Sequence, residues 1–216
     1  MRQIQNRRTL VAGLAAAVAA FTTGMRPMRA QSASSGFSPA RHDADRWMDE
    51  LRGKHRVFVD SASRSGGQDA VLFANNLFST NETAYGIAPA DLAIIVCFRH
   101  ASTPYGYNDA MWAKYGSHLS QRLELAQPAT ANPLNPGGSG AGRTLASLIE
   151  KGAHIAICAN ATRAMSGRIA SSTGASQEAV FKELTANAVP NGRFVPAGVV
   201  AATRAQEYGY SLLSCG

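Results

Sequence analysis

Charge, aromatics and cysteine are all sparse in this 216-residue chain, at 16% Asp, Glu, Lys and Arg, 7% Phe, Trp and Tyr, and three cysteines. No stretch interleaves a basic run with aromatics, which excludes the usual footprint of a nucleic-acid-binding surface. The cysteines form no C-x-x-C, which argues against a thioredoxin-type dithiol, and no Cys/His spacing fits a structural zinc site. The glycine-rich turn SRSGGQDA (63–70) lacks the P-loop lysine and the G-x-G-x-x-G spacing. No cofactor and no metal are therefore expected, and nucleotide-dependent chemistry drops to a minor class. No internal repeat is visible.

What charge there is gathers at the start. Residues 1–30 hold five arginines and no acid, leaving 16 basic against 14 acidic residues in the remainder. The formal net charge of +7 therefore falls to about +2 once this segment is set aside. A basic beginning, an apolar Ala-rich stretch from Thr9 to Phe21 and small residues near Ala30–Ala33 have the layout of an export signal. The apolar stretch is short for a membrane span, so no transmembrane anchor is expected after its removal. Arg7-Arg8 before Thr-Leu-Val resembles the twin-arginine pattern, by which a passenger crosses the membrane already folded. A Sec-type leader that happens to carry two arginines is the alternative. Both point to a bacterial periplasm, with the signal read over 1–32.

The remaining residues suffice for one domain with a full core. Residues 33–54 read as a flexible N-terminal segment, 55–216 as the domain, and the Pro/Gly/Ser-rich 127–143 as an exposed loop within it. Inside the domain, apolar runs and helical periodicities alternate. Strands are expected at HRVFVD (55–60), DLAIIVCFRH (91–100), AHIAIC (153–158) and YSLLSC (210–215). Helices are expected near 67–83, 108–115, 143–152, 162–173, 176–188 and 196–209, with Asn108 as a cap and Gly152 and Gly174 as stops. This alternation predicts an α/β domain, a mainly parallel sheet with helices on both faces.

In such sheets, sites form beyond the carboxyl ends of the strands. Three ends are readable: Asp60 and Ser61, Arg99 and His100, Cys158 and Asn160. Cys158 sits where a strand turns into a helix, whose free amides favour a thiolate. His154 is four residues back along that strand, roughly 13 Å away at about 3.3 Å per residue, and is excluded as a partner. His100 is at the correct edge. Asp60 either orients it or satisfies amides in the next turn, and Arg99 either favours an anion or forms a surface salt bridge. Cys97, inside an apolar strand, reads as core; Cys215, penultimate, reads as exposed or paired. An odd count leaves one thiol unpaired in an oxidising compartment unless chains cross-link.

The blocks HRVFVD, DLAIIVCFRHASTPYGYNDAMWAKYG, EKGAHIAICANATRAMSGRIASSTG and VPAGVVAATRAQEYGYSLL resemble the DsrE/DsrF-like family, in its exported twin-arginine branch. The likeness spans roughly 55–214. It implies a compact domain of flavodoxin-like appearance that assembles into trimers or hexamers. It also implies that a cysteine at the position of Cys158 carries sulfur as a persulfide, received from or passed to a partner protein. The family's relays are cytoplasmic and lack the 127–143 insertion, whereas this chain carries an export signal.

Two function classes remain open. In one, Cys158 is a carrier thiol for sulfur handling or redox work, with His100, Arg99, Asn160 and Asp60 around it. In the other, the chain is a non-catalytic oligomeric binding protein, with Ser61, Tyr105, Tyr107, Asn108 and Trp112 lining a pocket for a small ligand. Trp112 has a plainer reading as packing against the sheet.

Overall fold

A computed structural model describes residues 38–135 and 143–216; the export signal expected over 1–32 lies outside them, as do residues 136–142 of the expected loop. The order is a helical turn α1 (Trp47–Glu50), β1 (His55–Ser61), α2 (Arg64–Tyr85), β2 (Leu92–Phe98), α3 (Asp109–Arg122) and α4 (Leu145–Glu150). It continues with β3 (His154–Cys158), α5 (Ala159–Thr173), α6 (Gln177–Ala186), β4 (Gly192–Val195), α7 (Gly198–Glu207) and β5 (Ser211–Cys215). The five strands form one all-parallel sheet in the order β4-β3-β2-β1-β5. The chain is an α/β domain.

The strand order dictates where the helices go. From β1 to β4 each step moves one place in the same direction, so right-handed crossovers put α2 to α6 on one face. The step from β4 to β5 returns across the whole sheet, which sends α7 to the other face. The two cores follow this division. Val59, Ile94, Val96, Phe98, Ile155 and Ile157 pack with helices α2 to α6 on the first face. Phe58, Ala93, Ile95, Cys97 and Ala156 pack with α7 and with Trp47 and Met48 on the second. Alternation along a strand, one residue to each face, produces this split.

Several elements differ from expectation. Residues 43–50 are structured: Trp47 (5% exposed) and Met48 (0%) are buried against the second face, because an indole and a thioether side by side give this short turn enough apolar area to dock. The domain thus begins near Pro39 rather than at 55, and 33–54 is not wholly a flexible segment. The described part of the 127–143 loop is not simply exposed. The buried Asn132 donates to the carbonyls of Tyr105 and Tyr107 at 2.8 and 3.1 Å, and its amide N–H donates to Asp109. α2 begins three residues early, capped by Ser63, so the SRSGG turn is its first turn. Gly67 must be bare there, since a Cβ would lie 2.5 Å from the Tyr105 ring. α3 continues to Arg122 through a kink at Tyr115. β4 is an additional strand. No described helix is long and apolar enough to cross a membrane.

Candidate functional site

Helices leave β3 and β4 toward opposite faces of the sheet, α5 on one and α7 on the other. Adjacent strands whose connections diverge leave a crevice at their carboxyl ends, the place where open parallel sheets bind ligands. Here the crevice is a cleft of about 350 Å³ lined by Arg99, His100, Cys158, Asn160, Ala197, Gly198 and their neighbours.

Each wall has a local cause. Cys158 ends β3 and is the N-cap of α5, with its Sγ accepting the Ala161 amide at 3.4 Å. The residue is 7% exposed and lines the cleft. The Asn160 amide donates to the Pro196 carbonyl at 3.3 Å, tying the start of α5 to the strand end from which α7 departs. α7 starts at Gly198 behind Ala197, and no side chain caps it, so its first amides are free to meet a ligand. Gly198 touches Arg99, since a Cβ there would lie 2.5 Å from the arginine Cβ.

Arg99 is held from behind. Asp60 accepts from its Nε at 2.8 and 3.1 Å and from its Nη2 at 2.8 Å, and the carboxylate is almost fully buried. These bonds hold the guanidinium more firmly protonated than usual, against its partial burial. Nη1 has no protein partner among the described residues. Asp60 thus orients Arg99, and neither of the roles expected for it, orienting His100 or satisfying the next turn, is the one it plays. His100 sits in left-handed backbone with φ of 53° and its Nδ1 accepts from Arg122 at 3.3 Å. It lines the cleft while bonded away from the thiol.

Cys158 is steadied from the opposite side as well. Thr162 Oγ1 donates to the Cys158 carbonyl at 2.9 Å and is in turn 2.8 Å from the Tyr107 hydroxyl. Burial pushes the Tyr107 phenol far above its ordinary range, so it remains a neutral donor.

The expected ligand pocket is not where these aromatics are. Tyr105, Tyr107 and Trp112 are each 0% exposed, because their rings fill the space between the sheet and α2, α3 and α5. Asn108 caps α3 by accepting the Met111 amide and also bonds Asn187. Ser61 is buried, donating to the Cys97 carbonyl at 2.7 Å with Ser102 Oγ 3.0 Å away. None of these five lines the cleft. Cys97 is core, and burial, then Asp60 and Cys158, push its thiol well up. Cys215 is neither exposed nor paired: it is 4% exposed and free, since β5 tucks its last side chain under α2. His154 is half-buried at the far end of β3, as its spacing requires.

The residues that sequence reading missed are Ala197, Gly198 and Val199. Their signal was the pair of residues Phe194-Val195 between Gly192 and Pro196, a strand too short to stand out.

No protein-family model matches the chain, and a search of curated proteins finds no significant relative. The resemblance to DsrE/DsrF-like proteins gains no support from these comparisons.

Proposed function

We propose that the chain is a thiol-based carrier of the bacterial periplasm, with Cys158 as the sulfur that accepts and passes on a sulfane sulfur atom. The observation that carries this is the placement of Cys158 in the crevice where α5 and α7 diverge, capping one helix and facing the uncapped start of the other. In the step, the Cys158 thiolate attacks the outer sulfur of a donor persulfide R–S–SH. The donor S–S bond breaks, R–S⁻ leaves with the electron pair, and Cys158–S–SH forms, so that no oxidant is consumed. Attack by an acceptor thiolate reverses the exchange. Both directions proceed through the anionic sulfur, and the Ala161 amide that donates to Sγ is the contact that would steady it. Exposed Val199 (55%) and Val200 (47%) beside the cleft give a partner protein an apolar lip to rest on.

The same free amides would also hold a small anion with no chemistry at the sulfur, and alkylation of the native protein separates these readings. Iodoacetamide should label Cys158 at least tenfold faster than Cys97 or Cys215, as read by peptide mass spectrometry. A low-molecular-weight persulfide should add one sulfur to the wild type and none to Cys158→Ser. If Cys158 reacts no faster than Cys97, it is a packing residue and the carrier reading fails. Periplasmic placement rests on the Arg7-Arg8 leader. Replacing both by lysine should strand the precursor in the cytoplasm, and normal export would show a Sec route instead.

A further inference from the structure

A second groove lies between α3 and α5, apart from the Cys158 cleft. α3 contributes His118, Gln121 and Arg122, and α5 contributes Met165, Arg168 and Ile169. Each triplet has the i, i+3, i+4 spacing that puts three side chains on one helical face. The two faces enclose about 290 Å³, close to the lower end of small-molecule sites. Met165 (4% exposed), with the wholly buried Ile169 (0%) beneath the surface beside it, gives the floor its apolar character, and the rim is basic.

The charges on that rim are not matched. Neither Arg122 nor Arg168 is in an ion pair among the described residues, whereas Arg163, on the same helix α5, pairs with Glu178 at 3.2 Å. Glu124 is the one carboxylate on the lining, and it makes no bridge to either arginine. The Arg122 guanidinium is pushed down in pKa by burial first and by Arg168 second. Two guanidiniums that repel and cannot lose their protons raise the energy of the empty groove. Arg122 also complements the carboxyl end of α3, which accounts for its own charge. That account does not extend to Arg168, which is in the interior of α5. Nearby, His118 Nε2 is 2.6 Å from Ser172 Oγ, a further polar pair on the same rim.

We propose that this groove binds a small organic dianion with the chemistry of a phosphomonoester, its oxygens between Arg122 and Arg168 and its carbon part over Met165 and Ile169. Paired guanidiniums match a divalent tetrahedral oxyanion, which each can approach with two parallel donors. The apolar floor selects an organic ester over the bare ion. The proposal does not rest on the carrier reading of Cys158, although Arg122 also donates to His100 at the edge of that cleft.

Calorimetric titration of the full chain at fixed ionic strength tests the proposal, with phenyl phosphate as the probe and inorganic phosphate as the second arm. Phenyl phosphate should bind one to one, at least fivefold tighter than inorganic phosphate. Arg168→Gln, at an exposed position that the fold does not need, should weaken it at least tenfold, as should Arg122→Gln. Arg163→Gln, which removes an equal charge elsewhere on the same helix, should leave the affinity within twofold. Equal affinity for the two probes would show a plain anion site and overturn the organic assignment. No saturable binding, or equal weakening by Arg163→Gln, would overturn the site itself.

Discussion

On one face of the sheet, Tyr105, Tyr107 and Trp112 are wholly buried beneath helices α2 to α6. On the other, α7 rests through Ala201, Ala202 and Ala205 in a cluster that includes Ala93, Ala156 and Cys97 of the strands. The first face holds the larger cluster of buried residues, its rings included, and is in that sense the thick one. Small side chains let α7 lie close, and its Gly198 reaches Arg99 at the carboxyl edge. The thick face therefore carries stability, and the thin one positions the site. This is why the cleft opens beside α7 and why the aromatic residues are absent from it.

The largest test of that division is Trp112→Ala. Removing a fully buried indole should cost about 3–5 kcal/mol of folding stability, read as a lower urea midpoint. Its Nε1 has no hydrogen-bond partner among the described residues, so no polar contact is lost in compensation. A loss under about 1 kcal/mol would mean that the thick face is not the stabilising one.

Asp60→Asn tests the thin side and should cost less, about 2 kcal/mol, as expected for hydrogen bonds to a charged group. Arg99 keeps its charge while its carboxylate partner goes, so the guanidinium should turn toward the cleft. Labelling of Cys158 by anionic iodoacetate should then rise relative to neutral iodoacetamide. An unchanged ratio would show that Arg99 does not set the field at the sulfur.

Gly198→Ala is a smaller perturbation at the same place. The added Cβ meets the Arg99 Cβ and Cδ, at 2.5 and 2.9 Å, and the first of these cannot swing aside. α7 must back away, at a cost of about 1 kcal/mol, the low end for overpacking. Because α7 withdraws, Cys158 should label faster. Stability and labelling equal to wild type would show that α7 does not approach as closely as the alanines permit.

The thick face was easier to read from sequence than the thin one, for a physical reason. Long apolar runs such as LAIIVCF and periodic helices such as VLFANNLF announce themselves locally, and β1, β2, β3 and β5 fall where those runs are. The carboxyl edge bearing Cys158, Arg99 and His100 followed from them. What decided the site, however, was the four-residue β4, whose half-exposed Gly192 and Phe194 carry little apolar signal. Without β4 there is no divergence of α5 and α7, and hence no reason to look at Gly198. Tyr105 and Tyr107 misled because a YGYN stretch after a strand looks like a loop, although the 3-10 turn His100–Gly106 folds it inward. The expectation of an export signal over 1–32 falls outside the described residues and is untouched by any of this.

The smallest expected effect compares the faces by their buried acids. Burial pushes the Cys215 thiol, on the thick face, up to about 11, with Asp69 and Asp60 adding to it. Burial drives Cys97, on the thin face, well up too. An unfolded thiol ionises near pH 8.5, so above that pH the unfolded chain releases protons that the folded chain still holds. Stability due to the neutral thiols is thus complete below about pH 8.5 and is lost as the pH rises toward the folded values. The urea midpoint, measured under reductant, should fall steadily over the alkaline range. Cys97→Ala should flatten that decline more than Cys215→Ala, because Cys97 has no exposed surface at all while Cys215 keeps 4%. Tyr105 and Tyr210, each pushed up to about 12 by burial, keep a shallower decline in both variants at higher pH. If Cys215→Ala flattens it more, the thiol on the thin face is the better solvated of the two, and the close packing of α7 over Cys97 is wrong.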